Sequence, residues 1–180
     1  MLQISRKRWR KLSLKLLDSN NVSYYDLNNQ VNIPLNDKIQ LNKDKDALAA
    51  FLKENVEPNM VKFTSLQEKF KYLIANDYLE EEFVSKYKMS FIEKLYQQLE
   101  NAHFHFKTFM AAYKFYAQYA LRTNDNDAYL ESYIDRVAVN ALYFADGDEE
   151  LALDLADEMI HQRYQPATPS FLNAGRKRRG

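Results

Sequence analysis

The sequence predicts a mainly α-helical protein, in which a small N-terminal helical unit is followed by an all-helical bundle. Three observations support this fold class. Apolar residues recur at helical spacing over most of residues 48–160. Two Ser-x-x-Glu patterns precede apolar runs in the manner of capping boxes. Residues 106–121 are apolar or aromatic almost all round, as expected of a helix that other helices surround.

Composition excludes several classes of function. The 180 residues contain no cysteine, so disulfides, thiolate metal sites and thiol nucleophiles within this sequence are ruled out. The three glycines, Gly147, Gly175 and Gly180, cannot form a glycine-rich phosphate loop. No apolar run approaches the roughly 20 residues that cross a bilayer, and the basic start lacks a signal-peptide core. We therefore expect a cytoplasmic protein without a membrane partner.

Residues 1–20 are predicted to form a basic, disordered arm, and residues 21–89 a small N-terminal unit. Within that unit, residues 22–27 are the best candidate for a strand. The first amphipathic helix ends before Pro58, and the second begins at a capping box formed by Ser65 and Glu68. The apolar positions of these two helices are Leu48, Phe51, Leu52, Val56, Leu66, Phe70, Leu73 and Ile74.

Residues 90–164 are predicted to form the helical bundle. Its central helix is placed at residues 106–121, with Phe109 and Tyr113 buried, and a second capping box at Ser90 and Glu93 opens the preceding helix. Two helices with apolar stripes follow. Gly147 is predicted to end the first of them, and Asp148 is predicted to be the N-cap of the second. The stripe positions are Leu130, Ile134, Val137, Ala138, Ala141, Ala152, Leu155, Ala156 and Met159. Residues 165–180 show no period and are predicted to form an extended loop.

Two Glu-x-x-His pairs raise the alternative of a di-iron carboxylate bundle. They are Glu100 with His103 and Glu158 with His161, the spacing with which such bundles aim two ligands inward. On a helical wheel, however, His161 points away from the apolar stripe of its helix. We therefore predict that the chain binds no metal.

Charge is spread unevenly along the chain. A basic segment at residues 6–11 contains a tryptophan, a combination that could contact nucleic acid, but the acidic remainder and the lack of a reading helix disfavour such a partner. The basic run at residues 176–179 is interpreted as a solvated linker face, and as a phosphate site only if the fold brings it to a ligand. Acidic clusters at residues 80–82 and 146–150 are interpreted as favourable charges at helix N-termini.

Several segments resemble one enzyme family. Residues 162–180 read Gln-Arg-Tyr-Gln-Pro-Ala-Thr-Pro-Ser-Phe-Leu-Asn-Ala-Gly-Arg-Lys-Arg-Arg-Gly, and residues 106–116, 119–125 and 140–147 carry further similar motifs. These segments resemble the N-terminal region of the large subunit of class Ib ribonucleotide reductases. The resemblance is strong from about residue 71 onward, extends more weakly back to residue 22, and gives no account of residues 1–17.

The resemblance implies an enzyme that reduces ribonucleoside diphosphates to deoxyribonucleotides for DNA synthesis by radical chemistry. It implies a small subunit that carries a metal and a tyrosyl radical, a thioredoxin- or glutaredoxin-like reductant, and nucleotide effectors. Residues 21–89 are similar to the reduced region that replaces a full ATP-cone in class Ib enzymes. This chain itself is expected to bind no cofactor.

By the same resemblance, Thr168 contributes to binding the substrate diphosphate, although a turn threonine between two prolines is the competing interpretation. In the family, the position of Gly180 is followed by the first redox cysteine and a ten-stranded α/β barrel. We therefore predict that these 180 residues are an N-terminal fragment without an active site and without activity alone. The alternative is a stand-alone helical interaction or regulatory module.

Overall fold

The computed structural model describes residues 23–26, 31–34 and 38–177, with side chains from Asp44 onward. The chain divides into two compact units, which are Met1–Ala47 and Leu48–Gly180. The predicted basic arm at residues 1–20 lies outside the described residues.

The first unit contains a short antiparallel hairpin. Strand β1 (Ser23–Asp26) pairs with β2 (Val31–Pro34), and Tyr24 lies opposite Ile33. β1 confirms the strand predicted at residues 22–27. Helix α1 is Lys38–Phe51.

The second unit is helical over most of its described length, which confirms the mainly α fold class. After α1, its chain continues through a π-helical turn and a 3-10 turn, and a second π-helical turn follows α5. The turns are Leu52–Val56, Glu57–Asn59 and Phe115–Tyr119. The helices are α2 (Leu66–Ala75), α3 (Glu81–Val84), α4 (Met89–Asn101), α5 (Phe109–Lys114), α6 (Tyr133–Ala145), α7 (Glu149–Ile160) and α8 (Thr168–Asn173).

The capping predictions have mixed outcomes. Ser65 accepts the backbone N–H of Glu68 at 3.1 Å, as predicted, but the Glu68 carboxylate accepts from Thr64 instead of closing the box. The box predicted at Ser90 is wrong, because α4 begins two residues earlier than that box requires and its N-cap, Lys88, makes no side-chain cap bond. Asp148 caps α7 through Leu151 N–H at 3.0 Å, as predicted. Local sequence patterns therefore locate helix starts to within a residue or two.

The predicted central helix is wrong. Within residues 106–121, α5 is short, and Met110 and Tyr113 on it are 61% and 48% exposed, while Phe109 is half-buried. The centre of the unit is α6, on which nine residues are buried. They are Asp135, Arg136, Val137, Ala138, Val139, Asn140, Ala141, Leu142 and Ala145. An all-apolar sequence does not require burial, because apolar atoms also cover much of a folded protein's surface.

The hydrophobic core lies between α4, α6 and α7, which pack against one another. Leu95 and Leu99 of α4 and Leu142 of α6 have no exposed surface. Within the part of the chain that the structure describes, no helix combines the length and the apolar character needed to cross a bilayer. The core contains residues from both sides of the domain boundary predicted at 89/90. That boundary stays a prediction.

The extended loop predicted for residues 165–180 is also wrong, because a short helix lies within it. Residues 168–173 form α8, Phe171 on it is buried, and Ala174 and Arg176 beyond it are buried as well. A six-residue helix spans less than two turns, so its apolar spacing is too short to be recognised in the sequence. Contacts with α6, described below, hold it in place.

Candidate functional site

Thr168 is the first residue of α8 and is exposed. Ala167 precedes it without a side-chain cap bond, and Pro169 lies in the first turn, where the fixed φ of proline suits a helix start. The hydroxyl oxygen of Thr168 lies 3.4 Å from that of Tyr119. The Thr168 hydroxyl is therefore open to solvent, with a second hydroxyl beside it.

The C-terminal end of α8 is held by two polar side chains of α6. Asn140 donates from Nδ2 to the carbonyl of Phe171 at 3.1 Å. Arg136 donates from Nη1 to the carbonyl of Leu172 at 3.3 Å, and from Nη2 to that of Ala174. The last carbonyls of a helix have no partner within it, so these bonds satisfy groups that would otherwise be left unpaired. α6 thereby fixes the position of the helix that carries Thr168.

Arg136 is a fully buried cation. Burial lowers its pKa to about 10, while the charge of Glu131 opposes that shift. A guanidinium with this pKa stays protonated at neutral pH. Its side chain therefore keeps the charge that favours a position at the carbonyl end of a helix.

Glu131 is a buried carboxylate that two arginines share. Its Oε2 lies 3.0 Å from Nη2 of Arg176 and accepts the backbone N–H of Leu121 at 3.1 Å. Its Oε1 lies 3.3 Å from Nη1 of Arg136, within ion-pair distance but outside hydrogen-bonding geometry. Arg176 also donates to the backbone carbonyl of Tyr119. The prediction that Arg176 is a solvated linker residue is wrong, because this buried ion pair offsets the burial of its charge.

A second polar cluster centres on Asp135. This residue closes a capping box with Ser132 at the start of α6, which the sequence analysis missed. It also forms an ion pair with Lys69 at 2.6 Å and accepts from the Tyr96 hydroxyl at 2.9 Å. Burial, followed by the charge of Asp135, raises the pKa of Tyr96 well above its usual value. Tyr96 therefore serves as a neutral hydrogen-bond donor.

Tyr116 leads to a prediction about alkaline pH. Burial raises its pKa to about 12, with a further contribution from Asp135. Because the folded pKa exceeds the unfolded value near 10, its stabilisation is complete below pH 10 and is lost as pH rises through 12. By linkage this loss amounts to about 2–3 kcal/mol of unfolding free energy.

Denaturant melts between pH 9 and pH 12 measure this loss. Tyr116→Phe removes the ionisable group but keeps the ring. We expect its unfolding free energy to fall less steeply with pH than that of the unsubstituted chain. Leu99→Ala, which removes buried apolar atoms but no ionisable group, is the control: it should lower the unfolding free energy at every pH and leave the slope unchanged. Equal slopes in all three proteins would contradict the assignment to Tyr116.

The two Glu-x-x-His pairs lie at helix ends. His161 is exposed, as the helical wheel predicts, and its Nδ1 lies 3.2 Å from Oδ1 of Asp157. His103 is exposed too, with a left-handed φ of 49° just beyond α4. Glu158 forms an ion pair with Arg163 at 2.9 Å. Among the described residues, no three His, Asp or Glu side chains form a group that could hold a metal ion.

The residues that organise this region were not predicted from the sequence. Glu131, Arg136 and Asn140 were not singled out, and Arg176 was assigned to solvent. One signal was present: Arg136 and Asn140 lie four residues apart beside the apolar positions of a strongly hydrophobic helix. Polar residues at such spacing within an apolar stripe indicate a buried polar contact, since burying them without partners is costly.

Two family models match the chain in succession. A model described as "Ribonucleotide reductase N-terminal" matches residues 24–104. A model described as "Ribonucleotide reductase, all-alpha domain" matches residues 105–179. The second match contains α5 to α8, and thus Thr168 and the polar contacts around it.

Curated relatives agree with these matches. The chain is 49% identical over 158 residues to the ribonucleoside-diphosphate reductase NrdEB subunit alpha of Bacillus subtilis, covering 88% of this chain and 15% of the relative. It is 46% identical to another Bacillus subtilis subunit alpha, covering 87% of this chain and 22% of that protein. The Mycoplasma pneumoniae subunit alpha is 42% identical, with coverages of 76% and 19%.

The chain spans about a fifth or less of the length of these relatives. The two models nevertheless match it almost without interruption from residue 24 to residue 179. The chain therefore belongs to the ribonucleotide reductase family and corresponds to the N-terminal region of its large subunit.

Proposed function

We propose that this chain works as the N-terminal region of a ribonucleoside-diphosphate reductase alpha subunit, which makes deoxyribonucleotides by radical chemistry. The observation that carries the proposal is the consecutive match of both family models over residues 24–179. The chain has no cysteine, so it offers no thiol for a thiyl radical. In this proposal the chain contributes to substrate binding, and the thiols belong to other parts of the enzyme.

The proposed substrate contact is Thr168. Its exposed hydroxyl stands at the N-terminal end of α8, and α8 is held on the buried core by α6. A threonine hydroxyl can donate a hydrogen bond to a phosphate oxygen, which is stronger than one to a neutral acceptor. The geometry supports a contact between Thr168 and the diphosphate of a ribonucleoside diphosphate.

The proposed partners follow from the family. They are a radical-bearing small subunit, which holds the metal and the tyrosyl radical, and a thioredoxin- or glutaredoxin-like reductant. Nucleotide effectors of the complete enzyme and a cytoplasmic location complete the proposal.

The test of this function is Thr168→Ala in a complete alpha subunit in which this chain forms the N-terminal region. We expect kcat/KM for a ribonucleoside diphosphate to fall by roughly ten- to a hundredfold, mainly through KM. The reason is the loss of a charge-assisted hydrogen bond of about 1.5–3 kcal/mol. Steady-state kinetics with the small subunit and a dithiol reductant measure this change.

Two further variants make the result specific. Thr168→Ser keeps the hydroxyl and should lose much less. Ser170→Ala removes another exposed hydroxyl of α8 and should leave KM unchanged. If Thr168→Ala has the kinetics of the unsubstituted enzyme, Thr168 is only a turn residue and the proposed contact is wrong.

A further inference from the structure

Helix α8 depends on the rest of the molecule for its position. A six-residue helix is not stable alone in water, because forming its first turn is unfavourable. Phe171 packs its ring against those of Tyr119 and Tyr133, at centroid distances of 6.0 and 6.3 Å. Hydrophobic contact is non-directional, so these rings alone leave small rotations and shifts of the helix open.

Arg136 and Asn140 supply directional contacts. They lie one turn apart on α6, and neither has exposed surface. Three of their hydrogen bonds end on the carbonyls of residues 171, 172 and 174. A guanidinium presents its donors in a rigid fork, so Arg136 can bind two carbonyls only when these carbonyls are correctly oriented.

We propose that Arg136 and Asn140 are positioning residues, which hold α8 so that the Thr168 hydroxyl faces the substrate diphosphate. This inference rests on the proposed function of Thr168. It assigns the two α6 side chains a role in substrate affinity, although neither of them touches substrate.

Their energetics favour a positional role over a purely stabilising one. Oδ1 of Asn140 and Nε of Arg136 are buried without a hydrogen-bond partner. Unsatisfied buried polar atoms are unfavourable, so these unpaired atoms offset part of the stabilisation that the two side chains gain from the carbonyls of α8. Fixing a register is the best-attested use of such buried polar groups.

Tyr119 connects both ends of this segment. Its backbone carbonyl accepts from Arg176, which follows α8, and its hydroxyl lies 3.4 Å from that of Thr168, which begins α8. A shift of α8 would change the position of Thr168 relative to Tyr119. Misplacing a binding group by about 1 Å can reduce the rate by as much as a hundredfold, even when the shift originates far from the reacting atoms.

The first test is Asn140→Leu in the complete alpha subunit. Leucine has the same branching as asparagine but has no donor for the Phe171 carbonyl and no unpaired buried oxygen. The Phe171 carbonyl loses its donor, so we expect the melting temperature to fall by a few degrees. We expect KM for the ribonucleoside diphosphate to rise about fivefold or more, while kcat stays within about twofold. A residue that only stabilises the fold would lower the melting temperature without this rise in KM.

The second test is Arg136→Lys, with Leu95→Ala as its control. An ammonium group cannot reproduce the fork, so we expect KM to rise about tenfold. Leu95 is buried on α4, and its apolar side chain makes none of these hydrogen bonds, so Leu95→Ala should lower the melting temperature by several degrees and leave KM unchanged. If KM rises in proportion to the fall in melting temperature in all three variants, Leu95→Ala included, the inference is overturned.

A thiol probe in the 180-residue chain tests the anchoring without reference to substrate. The chain has no native cysteine, and Ala174 is 4% exposed, so Ala174→Cys introduces a single protected thiol. We expect Asn140→Leu to raise its labelling rate about tenfold, because release of α8 exposes the residue. Unchanged labelling in this background would overturn the anchoring.

The outcomes separate the two proposals. If Thr168→Ala raises KM but neither α6 variant does, the positioning inference fails and the proposed function stands. If Thr168→Ala leaves KM unchanged, the proposed substrate contact of Thr168 fails, whatever the labelling rates of the α6 variants are.

Discussion

Replacing Glu131 by alanine is expected to lower the unfolding free energy by about 3–5 kcal/mol. The carboxylate has no exposed surface and lies within 3.3 Å of Arg136 and 3.0 Å of Arg176. Removing it leaves two buried guanidinium groups without a counter-charge and the Leu121 N–H without its acceptor. Breaking a buried ion pair in this way is more destabilising than losing a surface pair, because the remaining charges stay out of water.

Urea melts of the unsubstituted chain and its variants measure this effect. Glu131→Gln keeps the shape and an acceptor but not the charge, so we expect it to lose stability as well, by less than alanine. Glu150→Ala removes an exposed acid from the first turn of α7 and should lose about 1 kcal/mol or less. A loss of under 1 kcal/mol for Glu131→Ala would show that the arginines find solvent or other partners.

The elements that the sequence predicted well are those whose apolar spacing extends over several turns. Helices α2, α4, α6 and α7 carry such stripes, and the structure contains all four. Which of them occupies the centre could not be inferred, because that depends on which helices pack together. Tyr113 illustrates this. Its segment is apolar all round, yet Tyr113 is exposed, and the buried residues of the segment are Ala112 on α5 and Phe115 and Tyr116 in the turn that follows.

The candidate site was predicted only in part. Thr168 was identified from a family resemblance, and the structure places it at the start of a helix where a loop was predicted. The residues that hold this helix were missed because their partners are remote in sequence: Arg136 and Leu172 lie 36 positions apart, and Glu131 and Arg176 lie 45 apart. Spacing rules detect neighbours within a helix, so pairs at this separation have no local signature.

Gly175→Ala is expected to destabilise the chain by about 2–5 kcal/mol. Gly175 has a φ of 67°, a left-handed conformation that costs a residue with a Cβ about 1–2 kcal/mol. An added Cβ would also lie 2.8 Å from two ring carbons of Phe83 and 2.9 Å from Cγ1 of Val139. These atoms belong to buried side chains, so relieving the overlap requires a shift in the core, at about 1–3 kcal/mol. The carbonyl of Gly175 also accepts from Glu80 N–H at 2.9 Å, which restrains a backbone shift.

Gly147→Ala is the matched control for this prediction. Gly147 also has a positive φ, of 99°, but the nearest atom to an added Cβ is Cβ of the exposed Lys86 at 3.4 Å. Its variant should therefore lose only the conformational part, about 1–3 kcal/mol. Val139→Ala removes one of the overlapping atoms, so the double variant with Gly175→Ala should be more stable than the sum of the two single losses predicts, by about 1 kcal/mol. Strict additivity would mean that Val139 makes no contact with the new methyl group, and that backbone conformation or the ring of Phe83 accounts for the loss.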